Sequence, residues 1–163
     1  GIAKLPILAA GLRVLEREGV ANALVNGGGD VLASGRLQGR PWRVGVRDPR
    51  APDRLLGAIE VEGFGVVASS GDYERGFVHQ GRRLHHVRDP HTGWPTTGVH
   101  GVALLARDVR AVNGWGTALM VQGMAAVPAW SARHPGVAVL AAGADGALWR
   151  SDAMAKALKP VSI

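Results

Sequence analysis

Apolar residues at helical spacing open the chain. The leucines recur every three to four positions, which puts them on one face of a helix: Leu5, Leu8, Leu12 and Leu15. Pro6 suits the first turn of this helix, because its missing N–H has no partner there, and Gly19 is typical of a helix end.

Most of the remaining pattern is typical of strands. "ANALV" is a short apolar run that leads into the glycine-rich "NGGGD". Trp42, Val44 and Val46 alternate with polar residues and predict a half-buried strand that ends at Asp48-Pro49. Four further runs have the same character: "AIEVEG", "GVVASSG", "VHGVALLARD" and "VAVLAAG".

Two later stretches are interpreted as helical. One is "AVNGWGTALMVQG", and the other is a short helical turn that ends at "SARHPG". Strands are thus joined mostly to strands, with helices at the start and late in the chain. This order predicts an α+β fold in which a mostly antiparallel sheet is packed with helices. We expect residues 1–163 to form one domain, because the length fits one core and no linker or repeat interrupts it.

Composition narrows the class of protein. With 47% hydrophobic and 20% charged residues the chain is an ordinary folded protein, and no apolar run approaches the ~20 residues that span a bilayer. The opening stretch lacks the pattern of a signal peptide. The absence of cysteine excludes disulfides, thiolate metal sites and cysteine nucleophiles. The net charge of +6 suits anionic ligands, but the arginines are scattered and aromatic residues are few, so we expect no nucleic-acid partner.

Four polar stretches could carry chemistry, and each has a structural alternative. In Asn26–Asp30 the glycines could bring a ligand close to the backbone or could form a hairpin turn. In Ser69–Arg75 hydroxyls and N–H groups could hold a phosphate or cap a turn. Asn113 and Thr117, four residues apart, could share a hard cation from one helix face or form an exposed polar patch.

The stretch "HHVRDPHTG" (85–93) is the least easily explained as a turn. Asp89-Pro90 and Thr92-Gly93 are residue pairs that favour turns, but a turn does not require His86 three residues before the aspartate.

Taken in order, "GIAK", "ALVNGGGDVLASG", "WRVGVRDP", "VVASSGDYER", "HHVRDPHTG" and "NGWGTAL" resemble the ApbE family, the FAD:protein FMN transferases. The resemblance covers essentially the whole chain, which looks like the C-terminal half of such a protein. It implies an ApbE-like or T-fold-like fold. It also implies a reaction in which FAD and Mg²⁺ are bound and FMN moves onto a Thr or Ser hydroxyl of a target flavoprotein, with release of AMP.

The resemblance implies roles for the residues of the 85–93 stretch. His86 would be the general base or would orient the hydroxyl, and Asp89 would fix the geometry of that site. Thr92 would lend a hydroxyl to the loop that holds the cofactor. His85 and His91 are expected to be solvated bystanders. Arg88 is expected to pair with surface charge.

The resemblance also implies a nucleotide site and a metal site. Lys4 would approach the flavin nucleotide, residues Ser70, Gly71 and Asp72 would lie along the cleft, and its floor would be shaped by Gly28, Gly29 and Asp30. The metal would be held by Asn113, Thr117 and the main-chain carbonyl of Gly1.

Departures from the family pattern leave three hypotheses open. Asn113 stands where the family has an aspartate, which removes a charge from the metal site, and the family's N-terminal half has no counterpart within these 163 residues. Gly114 and Gly116 are expected to weaken their helix by about 1 kcal/mol each relative to alanine. The chain is therefore a flavin transferase, a degenerate relative that binds a flavin nucleotide or a partner protein without catalysis, or, outside the family, a basic polyanion-binding module.

Partners and compartment follow from the same resemblance. The partner would be the target flavoprotein, with a second copy of the chain or the missing N-terminal half covering apolar surface. The family suggests a periplasmic or membrane-anchored protein, and the chain itself contains no targeting signal.

Overall fold

The computed structural model describes residues 2–72 and 76–161. The helices are α1 (Lys4–Arg17), α2 (Val109–Val112), α3 (Trp115–Gln122), α4 (Ala126–Arg133) and α5 (Asp152–Ala157). The strands are β1 (Ala23–Gly27), β2 (Asp30–Ser34), β3 (Trp42–Asp48), β4 (Ala51–Val61), β5 (Gly65–Gly71), β6 (Gly76–His79), β7 (Arg82–His85), β8 (Val99–Ala106), β9 (Ala138–Gly143), β10 (Leu148–Arg150) and β11 (Leu158–Lys159). Among these residues, no helix has the length and apolar character needed to cross a membrane.

A six-stranded sheet forms the centre of the molecule. Its strand order is β1-β2-β5-β8-β9-β10, and each neighbouring pair of strands is antiparallel. The predicted strands "ANALV", "GVVASSG", "VHGVALLARD" and "VAVLAAG" all lie in it. The predicted α+β class with a mostly antiparallel sheet is confirmed.

Helices cover one face of this sheet. Leu5 and Leu12 of α1, Met120 of α3 and Trp130 of α4 pack with Leu104 of the sheet in one apolar cluster. The helix predicted from leucine spacing is confirmed, except that Leu15, the last of its leucines, lies in the exposed final turn.

A second sheet covers the opposite face. It has the order β11-β4-β3, and Val44 and Ile59 from it pack with Val67 and Leu140 of the central sheet and with Met154 of α5. Because both faces of the central sheet are covered, its inner strands are buried along nearly their whole length. Sequence patterning predicted one sheet with helices; the second sheet makes a third layer. A separate hairpin, β6–β7, lies outside both sheets.

The helix predicted over "AVNGWGTALMVQG" is wrong in one respect, because it is broken in two. α2 ends at Val112 and α3 begins at Trp115. Asn113 is extended and Gly114 has φ of +81°, a left-handed conformation that favours glycine. The break turns the backbone so that Asn113 and Thr117 belong to two different elements.

An ion pair at the end of β3 joins two layers. The Arg50 side chain donates from Nε and Nη2 to the two carboxylate oxygens of Asp48, each at 2.9 Å. Its Nη1 also donates to the Gly146 carbonyl, in the turn between β9 and β10, at 3.0 Å. The hydrogen bonds from Arg50 lower the pKa of the Asp48 carboxyl below its ordinary value of 3.8.

We predict that Asp48→Asn lowers the free energy of unfolding at pH 7. A depressed pKa means that the folded state holds the charged carboxylate more strongly than the unfolded state does. The stabilisation is therefore present above pH 3.8 and lost as the pH falls through the lowered pKa. Denaturant titrations should show the gap between wild type and variant closing below that pH. Asp145→Asn is the control, because an amide oxygen can still accept the hydrogen bond from Ala147 N. Asp145→Asn should have little effect on the free energy of unfolding at pH 7. If the stability difference between wild type and Asp48→Asn stays constant into acid, the stabilising role of the Asp48 carboxylate is contradicted.

Candidate functional site

A solvent-open cleft lies between α1, β5 and the α2–α3 junction. It is lined by the start of α1, the start of β2, the end of β5, the residue after β7 and the segment 112–117. Seven of the residues predicted from the sequence line it: Lys4, Asp30, Ser70, Gly71, His86, Asn113 and Thr117. The fold therefore brings together residues that are far apart in the chain, and their individual roles stay predictions.

Asp30 fixes one wall of this cleft. It begins β2 directly after the glycine turn and is 7% exposed. Its Oδ2 lies 2.9 Å from Lys4 Nζ, and its Oδ1 accepts a hydrogen bond from Ser69 N at 2.9 Å. Lys4 Nζ also donates to the Gly28 carbonyl at 3.3 Å. A buried carboxylate with these partners holds the lysine ammonium at one place in the cleft.

Gly116 permits α3, the opposite wall of the cleft, to lie close to β5. A Cβ atom at this position would lie 2.6 Å from Ser70 Oγ, closer than van der Waals contact allows. The prediction that Gly114 lies within a helix is wrong, and the expected cost of Gly116 relative to alanine stays a prediction. Gly114 caps α3 with a positive φ, and Gly116 lets α3 lie against β5.

His86 is exposed in the cleft, and the loop that follows it is held by its own hydrogen bonds. The preceding His85 is 7% exposed; its Nε2 donates to the Thr96 carbonyl at 2.9 Å, and its Nδ1 accepts from Val87 N at 3.3 Å. Thr96 N donates back to the Val87 carbonyl. The prediction that His85 is a solvated bystander is wrong: it is a buried link across the base of the loop.

Asp89 and Thr92 stabilise the turn of this loop and do not line the cleft. Asp89 Oδ1 accepts from His91 N at 2.8 Å, and Thr92 Oγ1 accepts from Trp94 N at 3.3 Å. Arg88 was expected to pair with surface charge, but its guanidinium donates to the Gly93 carbonyl at 3.2 Å. His91 is exposed, as predicted.

Asp72 lies one residue beyond the cleft and is 4% exposed. His100 Nδ1 is 2.6 Å from its Oδ2, and Asp72 N donates to the His100 carbonyl. His100 is not predicted from the sequence, because nothing in the strand pattern of "VHGVALLARD" indicates that it pairs with Asp72.

Gly28 and Gly29 line a second, adjoining groove rather than the cleft itself. Arg43 and Arg47 of β3 form its other side, because alternation along the strand exposes them while Val44 and Val46 are buried. Ser69 lines both spaces.

Asn113 is the residue of the predicted metal site whose contacts the structure resolves best. Its Nδ2 donates to the Ile2 carbonyl at 2.9 Å, while its buried Oδ1 has no hydrogen-bond partner among the described residues. Thr117 is exposed beside it. Gly1, the third predicted ligand, lies outside the described residues.

These donors do not fit a resident divalent cation. Mg²⁺ in proteins is usually held by one or two carboxylates with phosphate and water oxygens. Within residues 2–72 and 76–161, no group of three or more His, Cys, Asp or Glu side chains could hold a metal. The unpartnered Asn113 Oδ1 is a neutral oxygen, and Asp30, the carboxylate that lines the cleft, is engaged by Lys4.

Comparison with known proteins identifies the family. A match to the ApbE family extends over residues 1–141. This chain belongs to the ApbE family. ApbE relatives named FAD:protein FMN transferase include one from Klebsiella pneumoniae (strain 342), 36% identical over 68% of this chain and 32% of that protein. Another, from Rhodobacter capsulatus, is 34% identical over 90% of this chain and 28% of that protein.

Solved ApbE structures share the fold. The ApbE protein of Thermotoga maritima has a TM-score of 0.86 at 35% identity, covering 97% of this chain and 52% of that one. The apo flavinyl transferase ApbE of Pseudomonas stutzeri has a TM-score of 0.79 at 28% identity, covering 99% of this chain and 51% of that one. The chain thus spans about a third of the length of the curated relatives and half of the solved structures.

We predict that Gly116→Val destabilises the protein by about 1–3 kcal/mol, because the new side chain must displace Ser70 or part α3 from β5. Gly11→Val is the matched control. It also lies in a helix, α1, but its Cβ would meet open space, so the substitution should be neutral or slightly stabilising. Denaturant unfolding of the two variants measures the difference. Equal effects would show that the Ser70 contact does not constrain position 116.

Proposed function

We propose that this chain takes part in flavin transfer, moving FMN from FAD onto a Thr or Ser hydroxyl of a target flavoprotein. The observation that carries the proposal is the single cleft in which Lys4, Ser70, His86 and Thr117 meet. The names of the family relatives, FAD:protein FMN transferase, support the same reaction. Because the chain spans only part of the length of those relatives, their activity is a proposal for this chain.

The reaction needs three things from the protein: a proton acceptor, a binding place for the diphosphate, and alignment of the attacking hydroxyl with the phosphorus. The acceptor oxygen forms a bond to the phosphorus on the FMN side. The bond from that phosphorus to the bridging oxygen breaks, and AMP leaves with the electron pair. We assign His86 as the group that takes the hydroxyl proton, because its exposed imidazole lies in the cleft on a loop held by hydrogen bonds.

The diphosphate is proposed to lie between the Lys4 ammonium and the first turn of α3. Lys4 supplies ammonium N–H donors whose position Asp30 fixes. The first-turn N–H groups of a helix lack intrahelical partners and attract anions, and residues Gly114, Gly116 and Thr117 at this turn line the cleft. The Mg²⁺ that the family resemblance implies enters no step here, since the donors present do not fit it.

A second candidate is a protein that binds the flavin nucleotide without transferring it. Asn113 favours this candidate, because its neutral amide adds no charge for binding a cation that could assist the leaving phosphate. Both candidates need the dinucleotide in the same cleft, so transfer and binding have to be measured separately.

The test combines the chain with FAD and a target flavoprotein that bears the acceptor Thr, and weighs the target by mass spectrometry. Transfer predicts a target heavier by one FMN. His86→Ala should reduce the transfer rate by about 10²–10⁴-fold while FAD binding persists, because the proton acceptor is lost and the nucleotide contacts are not. His91→Ala is the control, since His91 is exposed on the same loop but does not line the cleft.

Each alternative outcome points elsewhere. FAD binding without any adduct would favour the second candidate. Transfer that is equally fast with His86→Ala would remove His86 as the proton acceptor. Failure to bind FAD at all, with salt-sensitive binding to nucleic acid, would favour the polyanion-binding module.

A further inference from the structure

We infer that the Asn113 amide takes the place of a divalent cation in this cleft, so that the cleft binds its dinucleotide without one. The inference rests on the proposed function for the identity of the ligand. It concerns a different property of the site: how the residues before α1 are held to the α2–α3 junction, and how the charge of the cleft is balanced.

The first argument is the contact itself. Asn113 Nδ2 donates to the Ile2 carbonyl at 2.9 Å, and a Cβ at Gly114 would lie 3.3 Å from Ile2 Cγ2. The α2–α3 junction and the residues before α1 are therefore in direct contact. A neutral hydrogen bond joins two segments that are 111 residues apart in the chain.

The second argument is the chemistry of the side chain. An ionised aspartate has only acceptor oxygens, and facing the Ile2 carbonyl it would need a cation or a proton between the two. An asparagine supplies its own N–H donors. Rotating the amide by half a turn would set Oδ1 against the carbonyl oxygen, so the carbonyl determines which end of the amide faces it. A cation placed between Asn113 and the Ile2 carbonyl would have to displace this hydrogen bond.

The third argument is charge. Lys4 and Asp30 form an ion pair and cancel, and Asn113 adds nothing. The described side chains that line the cleft therefore carry no net negative charge, in a chain of net charge +6. An aspartate at 113 would make the cleft negative, and a diphosphate would then need a cation to offset the repulsion. With Asn113 that repulsion does not arise.

The first experiment needs no flavin. Thermal unfolding of the full chain is measured in EDTA and in millimolar Mg²⁺ for wild type, Asn113→Asp and Asn22→Asp. The wild-type Tm should not respond to Mg²⁺. Asn113→Asp should lower the Tm in EDTA by roughly 2 °C or more, and Mg²⁺ should restore it, because the new carboxylate has lost its donor to Ile2 and gained affinity for the cation.

Asn22→Asp is the matched control for the change of amide to carboxylate. Asn22 Oδ1 accepts from Arg36 N at 2.7 Å, a hydrogen bond that a carboxylate can keep, and Asn22 does not line the cleft. Its Tm should be independent of Mg²⁺. A wild-type Tm that rises with Mg²⁺ as much as that of Asn113→Asp would overturn the inference.

The second experiment measures FAD binding by calorimetry with Mg²⁺ or EDTA. Wild type should bind with the same Kd in both, within about twofold, whereas Asn113→Asp should bind roughly tenfold or more weakly in EDTA and recover in Mg²⁺. Asn113→Ala, which cannot bridge to Ile2 or ligate a metal, should bind weakly in both. Wild-type binding that collapses in EDTA would refute the inference. If FAD does not bind under either condition the proposed function fails, and the Tm measurements alone then decide the role of Asn113.

Discussion

The cleft depends on one buried carboxylate. Asp30 accepts a hydrogen bond from the backbone of β5 with one oxygen and holds the Lys4 ammonium with the other. It thereby ties the start of α1, the glycine turn before β2 and the strand that carries Ser70 to a single point. Burial raises the cost of leaving such a group unpaired, so each of the three segments is constrained by the other two. The other cleft residues are arranged around this point.

Patterning predicted the parts of the fold that depend on burial. The leucine spacing placed α1, where Leu5 and Leu12 are buried, and alternation placed β3, where Val44 and Val46 face the core. These features follow from the spacing of apolar residues in a helix or a strand, which can be read directly from the sequence. The second sheet was not predicted, because its strands have the same pattern as those of the central sheet and period alone does not assign a strand to a layer.

The site shows the opposite balance. Motifs predict its residues, and the fold brings most of them into one cleft, but their surroundings depend on tertiary contacts that no local pattern encodes. Helix propensity does not predict the break at Asn113–Gly114, because it does not show that a left-handed residue is needed there. The polar neighbours of His85 predict an exposed side chain, yet both its ring nitrogens form hydrogen bonds with backbone groups of the loop. His100 pairs with Asp72 across two strands, a contact visible only once the register is known.

Neighbouring residues of β5 serve different spaces, because side chains alternate along a strand. Val67 packs toward the second sheet and Ala68 toward the helices, so the Ser69 side chain lies on the face of the second sheet and the Ser70 side chain on the face of α3. Ser69 lines the groove of Arg43 and Arg47, and Ser70 lines the cleft. Side-chain substitutions at these two adjacent positions would therefore reshape the two spaces independently.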